Sequence, residues 1–278
     1  MNLLSVPGKP LASIPDPVSE MQTVQCRLEC SRLTVSVPGR ALVRDLEMNC
    51  GPGQVIAVLG RNGSGKTSLL HTLAGLRPAL AGSVSVKGIE ITDWPRRELA
   101  LTLGLLPQAT EDSFPGTVLE AALIGRHPHV NFWQWESELD EATARRCLQS
   151  VGLAGLENRD IRTLSGGERR RLAIATVLAQ DPQVFLLDEP LQQLDLHHQI
   201  DMLKIFRQLG EGRRTVIMSL HDAGLAVRFA DYALLLFGDG RWSYGDCADV
   251  LNEDTLTALY GTRTRELQWE DGRTFVAS

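Results

Sequence analysis

The feature that most constrains the fold is the segment GRNGSGKT, from Gly60 to Thr67, which directly follows the apolar run VIAVLG. An uninterrupted apolar run of this length favours a strand that is buried on both faces of a parallel sheet. The segment matches GxxxxGK[ST], in which glycines let successive backbone N–H groups curl around phosphate oxygens. A strand, this loop and the helical sequence KTSLLHTLAGL together predict an α/β fold with a phosphate-binding loop. In such a loop Lys66 reaches the β- and γ-phosphates of a nucleotide, and the Thr67 hydroxyl ligates Mg²⁺.

Three other apolar strands are predicted to end in polar residues. TLGLLPQ ends at Gln108, VFLLDEP leads into Asp188 and Glu189, and TVIMSLHD leads into His221. In open parallel sheets, ligands bind at the carboxyl ends of the strands. We therefore expect these side chains to lie together beside Gly60.

Each of these side chains has a chemical interpretation and a plainer alternative. Asp188 is placed to hold Mg²⁺, and Glu189 is the candidate general base for a lytic water. Gln108 can hydrogen-bond water or coordinate a metal through its carbonyl, and His221 can contact a γ-phosphate or orient the water. Taken singly, they could equally be solvated charges at a strand end, a surface glutamine and a structural histidine.

A second glycine-rich helix start occurs in LSGGERRRLAIA, from Leu164 to Ala175. Ser165 can cap the helix and Glu168 stands three residues later, as a capping box requires. Free N–H groups and the helix dipole make such a start an anion site. The sequence alone does not say whose phosphate it binds, and we interpret Arg169 to Arg171 as first-turn and surface charges.

The remaining sequence suggests how the chain is organised. Residues 1–22 are rich in Pro and Ser and are predicted to be a disordered extension. Residues 23–278 form the predicted nucleotide-binding domain, with a helical subdomain at approximately 110–175 inserted in its core. A formal net charge of −6 argues against a nucleic-acid partner. The 5 cysteines include no CxxC and are interpreted as free thiols. No apolar run approaches the length of about 18 residues that a membrane span needs.

Six motifs together resemble the ATP-binding cassette (ABC) ATPases. GRNGSGKT, the strand-end Gln108, LSGGE, FLLDE, the following Leu194–Asp195 pair and His221 occur in the order of that family. The resemblance covers the chain from about residue 26 onward. It implies a P-loop NTPase fold with a RecA-like core, an antiparallel β edge subdomain and the inserted helical subdomain. It also implies that two such domains pair head to tail, with two ATP molecules between them.

The resemblance assigns a role to each candidate residue. Gln108 and Asp188 would serve Mg²⁺ with Thr67, and Ser68 would contact the α-phosphate. Glu189 would be the base and His221 the γ-phosphate switch. Predicted contacts to the protomer's own ATP come from Gly60, Arg61, Asn62, Gly63, Ser64, Gly65, Lys66, Thr67 and Ser68. Contacts in trans to the partner's ATP come from Ser165, Gly166, Gly167 and Glu168, and communication across the dimer comes from Asp195.

Two departures from the family pattern affect this interpretation. The family often places an aromatic residue upstream to stack on adenine, and Val37 stands at that position, which puts base selectivity in doubt. In DEPLQQLD, Leu191 replaces the small hydroxyl residue that usually follows DEP, which affects coupling rather than hydrolysis.

ALIGRHPH, LDLHHQ and HDAGLAVRFADYALLLFGDG resemble the ATPases of iron–siderophore, haem and cobalamin importers. This implies a homodimer at the cytoplasmic face of the inner membrane, bound to an integral membrane permease and served indirectly by a substrate-binding protein. NFWQW, from Asn131 to Trp135, is either a permease-docking patch or ordinary packing. The alternative function is a soluble assembly ATPase, as in iron–sulfur cluster biogenesis. A DNA-repair or chromosome ATPase is disfavoured, because neither a coiled coil nor a zinc module lies between the two glycine motifs.

Overall fold

The computed structural model describes residues 28–109, 115–131, 133, 135–270 and 272–278. The predicted extension, residues 1–22, lies outside the described residues. The strands are β1 (Leu28–Val37), β2 (Arg40–Cys50), β3 (Val55–Gly60), β4 (Ala81–Val86), β5 (Ile89–Glu90), β6 (Leu103–Leu106), β7 (Val184–Leu187), β8 (Thr215–Leu220), β9 (Tyr232–Leu236), β10 (Trp242–Asp246), β11 (Thr264–Trp269) and β12 (Gly272–Ala277). The α-helices are α1 (Lys66–Leu73), α2 (Arg96–Thr102), α3 (Val118–Leu123), α4 (Glu138–Ser150), α5 (Gly166–Gln180), α6 (Leu196–Glu211), α7 (Ala223–Phe229), α8 (Cys247–Val250) and α9 (Glu253–Tyr260).

A six-stranded sheet forms the centre, in the order β10-β9-β3-β8-β7-β6. Strands β9, β3, β8, β7 and β6 run parallel to one another, and β10 pairs with β9 in the antiparallel direction. The parallel arrangement places the ends of β3, β6, β7 and β8 at one edge, as the strand-end pattern predicts. The predicted α/β class is confirmed.

The two faces of strand β3 belong to different cores. Val55, Ala57 and Leu59 pack with the helices of one core, whereas Ile56 and Val58 pack with the other. The second core lies under α1 and the antiparallel sheet β2-β1-β4-β5. An uninterrupted apolar run is needed because both faces of this strand are covered.

The helices α3, α4 and α5 pack against one another beside the sheet. Their shared core includes Val118 and Ala122 of α3 and Ala144 and Leu148 of α4, all completely buried. Thr117 and Ser137 each begin a helix with a capping box. The exact limits predicted for an inserted subdomain remain a prediction, because residues 110–114 lie outside the described part of the chain.

The C-terminal hairpin of β11 and β12 packs on α7, which follows the strand end at His221. Tyr260, at the end of α9, donates a hydrogen bond to the carbonyl oxygen of His221 at 3.3 Å. Within the described ranges, none of the helices combines the length and the apolar character that crossing a bilayer would require.

Candidate functional site

The glycine loop opens helix α1 without a side-chain cap. Gly65 is left-handed with φ 110°, and a Cβ there would lie 2.9 Å from the Cβ of Leu42, so only glycine fits. The Lys66 ammonium donates to the carbonyl oxygen of Gly60 at 2.9 Å. Burial lowers the pKa of Lys66, while the charges of Glu189 and Asp188 oppose that change. The loop therefore presents open backbone N–H groups and a buried cation, the two requirements for a phosphate cradle.

Asp188 is completely buried at the end of β7 and is held by a serine from the neighbouring strand. Ser219 Oγ donates to Asp188 Oδ1 at 2.7 Å and accepts a hydrogen bond from the Glu189 backbone N–H at 2.7 Å. One hydroxyl thus sets the positions of both carboxyl residues. Ser219 could not be identified from the sequence, because a serine within an apolar strand carries no local sign of its partners.

Glu189 lies between Gln108 and His221. Gln108 Nε2 donates to Glu189 Oε2 at 3.0 Å, and His221 Nε2 lies 2.9 Å from Glu189 Oε1. The Glu189 backbone is left-handed with φ 47°, an uncommon conformation for a residue other than glycine. The Glu189 carboxyl is only 10% exposed, whereas the His221 imidazole is 54% exposed. The strand ends are brought together as the sequence predicts.

The loop and these strand ends surround one cavity of about 510 Å³. Lys66, Gln108, Glu189 and His221 line it together with Thr67, Ser68 and most of the glycine loop. Val37, Leu42 and Arg40 also line it, and the Arg40 guanidinium donates to the carbonyl oxygen of Gly238. Val37 thus lies at the cavity where the family resemblance expects an aromatic residue, and its contribution there is apolar only.

The residues of this site fit a magnesium ion that arrives with a nucleotide. Asp188 Oδ2 is buried, and no described residue donates a hydrogen bond to it. Carboxylate, hydroxyl and amide oxygens are the donors that Mg²⁺ prefers, and it binds through few protein ligands plus phosphates and water. Among the described residues there is no cluster of three or more His, Cys, Asp or Glu that could hold a metal ion. A magnesium site that relies on phosphates and water does not need such a cluster.

The second glycine helix start has the predicted capping box. Ser165 Oγ accepts from the Glu168 N–H at 3.2 Å, and Glu168 Oε2 accepts from the Ser165 N–H at 2.7 Å. Hydrogen bonds from the Ser165 backbone, aided by Arg159, lower the pKa of Glu168. Ser165, Gly166, Gly167 and Glu168 are not among the residues that line the described cavity.

Asp195 caps helix α6. It accepts hydrogen bonds from the His198 N–H at 2.9 Å and from the His198 imidazole Nδ1 at 2.8 Å. Its carboxyl is 67% exposed. The structure assigns Asp195 this local capping contact, and its role across a dimer remains a prediction.

The interpretation of Arg169 to Arg171 as surface charges is wrong for Arg170, which is 5% exposed. Its guanidinium donates to backbone carbonyl oxygens at the ends of β6 and β7. Three successive arginines look alike in the sequence. Helical geometry separates them, because residues one apart on a helix point about 100° apart.

Trp133 and Trp135 are 90% and 91% exposed. The preceding turn is fixed by Arg97, which donates to the carbonyl oxygens of Pro128 and Val130 at 2.9 and 3.0 Å. Ordinary packing of the helical block therefore does not account for the two indoles. Large exposed aromatic side chains of this kind are typical of interaction surfaces.

Comparisons with known proteins agree with the geometry. The family profile described as ABC transporter matches residues 43–192. The chain is 39% identical over 246 residues to the hemin import ATP-binding protein of Gloeobacter violaceus, covering 85% of this chain and 88% of that one. It is 36% identical over 234 residues to the achromobactin transport ATP-binding protein of Dickeya dadantii, covering 84% and 87%. A solved metal-chelate type ABC transporter in an inward-facing conformation superposes with a TM-score of 0.79 at 26% identity, covering 91% of this chain and 98% of that chain.

Proposed function

Because the chain belongs to the ABC transporter family, we propose that it hydrolyses ATP to energise the uptake of a metal chelate through a separate membrane permease. Its fold is that of a P-loop NTPase with a RecA-like core, as in the solved ABC cassettes. The relatives are ATP-binding proteins for the import or transport of hemin and achromobactin, which supports a metal chelate as cargo. The single observation that carries the proposal is the cavity that joins Lys66 to Glu189, Gln108 and His221.

The chemistry proposed for this cavity is in-line hydrolysis of the γ-phosphate. Lys66 and the loop amides hold the phosphates, and the Glu189 carboxylate takes a proton from the attacking water. The bond between the water oxygen and the γ-phosphorus forms as the bond to the β–γ bridging oxygen breaks, leaving ADP and phosphate. His221 is placed to orient the water or contact the γ-phosphate, because its exposed imidazole stands beside Glu189.

We propose Thr67, Gln108 and Asp188 as the residues that hold Mg²⁺, which would neutralise charge on the phosphates when bound. The Gln108 amide nitrogen hydrogen-bonds Glu189. The Gln108 carbonyl oxygen is the atom that would ligate the metal. The buried and unpaired Asp188 Oδ2 supports this ligand set.

The second glycine helix start supports a homodimer. Ser165 and Gly167 lie at a capped helix start that does not line the protomer's own cavity. We propose that this start, including Gly166 and Glu168, completes the ATP site of a second copy, since helix N-termini bind phosphates. Asp195 would lie near the same interface. ATP would then join the two protomers, and hydrolysis would release them.

The proposed assembly places this dimer on the cytoplasmic side of the inner membrane. Trp133 and Trp135 are the proposed contact with the permease, because their rings are exposed and the turn before them hydrogen-bonds Arg97. A substrate-binding protein would deliver the chelate from the other side. The alternative, a soluble assembly ATPase, is not favoured, because relatives that share most of their length with this chain are import or transport ATP-binding proteins.

Reconstitution tests the proposal. The chain would be co-expressed with candidate permease subunits, and the complex would be placed in proteoliposomes with ATP and Mg²⁺ inside or outside. We expect uptake of hemin or a ferric siderophore. This uptake should require ATP on the side of the membrane to which this chain is bound. ATP hydrolysis by a complex that transports none of these chelates would support the proposed ATPase activity but contradict the proposed cargo class.

A further inference from the structure

The Arg170 guanidinium has five N–H donors, and five backbone carbonyl oxygens surround it. Nη1 lies 2.8 Å from the Pro107 oxygen and 3.2 Å from the Gln108 oxygen. Nη2 lies 2.5 Å from the Asp188 oxygen and 2.8 Å from the Glu189 oxygen, and Nε lies 3.3 Å from the Pro190 oxygen. The donors and acceptors are equal in number, so the buried side chain leaves none of its hydrogen-bonding capacity unused.

These carbonyls belong to the two segments that carry the reacting groups. Pro107 and Gln108 follow β6, whereas Asp188, Glu189 and Pro190 follow β7. Glu189 is held with φ 47°, a conformation that persists only where its surroundings enforce it. Ser219 fixes its N–H and Arg170 its carbonyl oxygen, so the backbone of the proposed base is held at both ends.

Arg170 itself stands on α5, the helix that begins at Ser165 and Gly166. Burial lowers the pKa of Arg170 to about 10, opposed by the charges of Asp188 and Glu189, so the group is cationic at neutral pH. A buried cation satisfied by carbonyls is a rigid connection, because breaking it would strand a charge and five acceptors. A displacement of this end of α5 would therefore act on both strand ends through these hydrogen bonds.

We propose that Arg170 is a positioning residue that couples helix α5 to the orientation of Glu189 and Gln108 in its own protomer. Arg170 is not among the residues that line the described cavity, and it acts through the backbone carbonyl oxygens of the two segments. The helix that would bind the partner's ATP through its first turn thus aligns the base of its own site through its second turn. This inference rests on the proposed ATPase chemistry and adds a residue to it.

The test compares Arg170→Met with Arg171→Met in the full chain. Arg171 lies on the same helix, but its guanidinium donates to the carbonyl oxygens of Val151 and Gly152, outside the cavity. Steady-state ATP hydrolysis, ATP affinity measured with a fluorescent nucleotide, and Tm would be recorded for both. For Arg170→Met we expect kcat to fall about tenfold or more with KM for ATP changed less than about twofold, as misplacement of a catalytic group produces. Arg171→Met should keep kcat within about twofold of wild type.

Arg170→Lys provides the second measurement. An ammonium has three donors and can serve only part of the carbonyl set, so an intermediate kcat is expected. Wild-type kcat in Arg170→Met would overturn the inference, as would equal losses of kcat in Arg170→Met and Arg171→Met. If Arg170→Met does not fold, an unchanged kcat in Arg170→Lys overturns it. A wild-type protein without ATPase activity would instead reject the proposed function.

Discussion

The imidazole Nε2 of His221 lies 2.9 Å from Oε1 of Glu189. The other carboxyl oxygen, Oε2, accepts a hydrogen bond from Gln108 at 3.0 Å. Each carboxyl oxygen of the proposed base therefore has one polar neighbour. A carboxylate oxygen has two lone pairs, so either oxygen can still accept a hydrogen bond from the attacking water.

Glu189→Gln should abolish turnover while ATP binding remains. The amide cannot accept the proton of the attacking water, so kcat should fall by about 100-fold or more. Lys66 and the loop amides are unchanged, and ATP should instead accumulate in a trapped dimer. Phosphate release and size-exclusion chromatography with ATP measure the two effects. Glu141→Gln, on the exposed ion pair with Arg145, is the matched control; hydrolysis by Glu189→Gln at the wild-type rate would show that another group is the base.

Ser219→Ala should lower kcat by about tenfold, because Asp188 Oδ1 and the Glu189 N–H lose their shared partner and the two carboxyl groups shift. Thr215→Val is the control. Thr215 is also completely buried on β8, and its hydroxyl donates to the Gly51 carbonyl oxygen at 2.7 Å, away from the cavity. Each variant removes one buried hydroxyl, so both should lose stability, but only Ser219→Ala should lose turnover. Equal kcat values for the two would contradict a role for Ser219.

Gly167→Asp should prevent ATP-driven dimerisation and leave binding of nucleotide to the monomer largely intact. A carboxylate at this helix start would repel the partner's phosphate. A Cβ at Gly167 would lie 3.1 Å from the Gln193 carbonyl oxygen, so any side chain must move that loop slightly. Gly167→Ala therefore separates the steric effect of a side chain at this position from the effect of its charge. We expect dimerisation, measured by light scattering with ATP, to survive far better in Gly167→Ala than in Gly167→Asp; equal loss in both would point to the loop instead.

Trp133→Ala and Trp135→Ala should weaken recovery of the permease complex in detergent without changing basal ATP hydrolysis. Truncating a tryptophan at an interface removes a large area of contact with the partner, and tryptophans are frequent anchors of interfaces. Trp269, on the C-terminal hairpin, is also exposed and supplies the control variant Trp269→Ala. Unchanged recovery in both test variants with normal ATPase activity would remove these two residues from the docking surface.

The ion pair of Asp140 with Arg126 should make stability depend on pH. The two groups are 2.9 Å apart, with side chains 12% and 11% exposed. Burial raises the pKa of Asp140, but hydrogen bonds from Ser137 and Arg126 outweigh it and lower the pKa to about 2. The lowered pKa of Asp140 contributes about 2 kcal/mol to the free energy of unfolding at pH values above the unfolded-state pKa of about 4. This contribution is lost as pH falls towards 2.

Urea unfolding of wild type and Asp140→Asn measures this contribution. The difference in unfolding free energy should be about 2 kcal/mol at pH 7 and should shrink as pH falls below about 4. Glu141→Gln, which alters only an exposed pair, should show little difference at any pH. A difference for Asp140→Asn that stays constant down to pH 2 would contradict the depressed pKa.

Much of the candidate site could be predicted from the sequence because its signals are local. An apolar run, a glycine loop and a helix follow one another directly around Lys66, and parallel pairing necessarily brings Gln108, Asp188 and His221 to the same edge. The capping box of Ser165 and Glu168 could likewise be predicted, because it lies within four consecutive residues. The C-terminal hairpin could not be assigned a place in this way, because its contacts with α7 are distant in sequence.

The phosphate loop, the buried strands and the polar residue at the end of each follow from the amino-acid sequence alone, since backbone conformation and hydrophobic burial act over a few residues. Two contacts are visible only in the folded chain: Ser219 joins Asp188 to Glu189, and Arg170, unlike its two neighbours, points inward to five carbonyl oxygens. Both are contacts between segments brought together by sheet order and helix packing. Their partners are fixed by three-dimensional distance, which residue type and spacing along the chain do not encode.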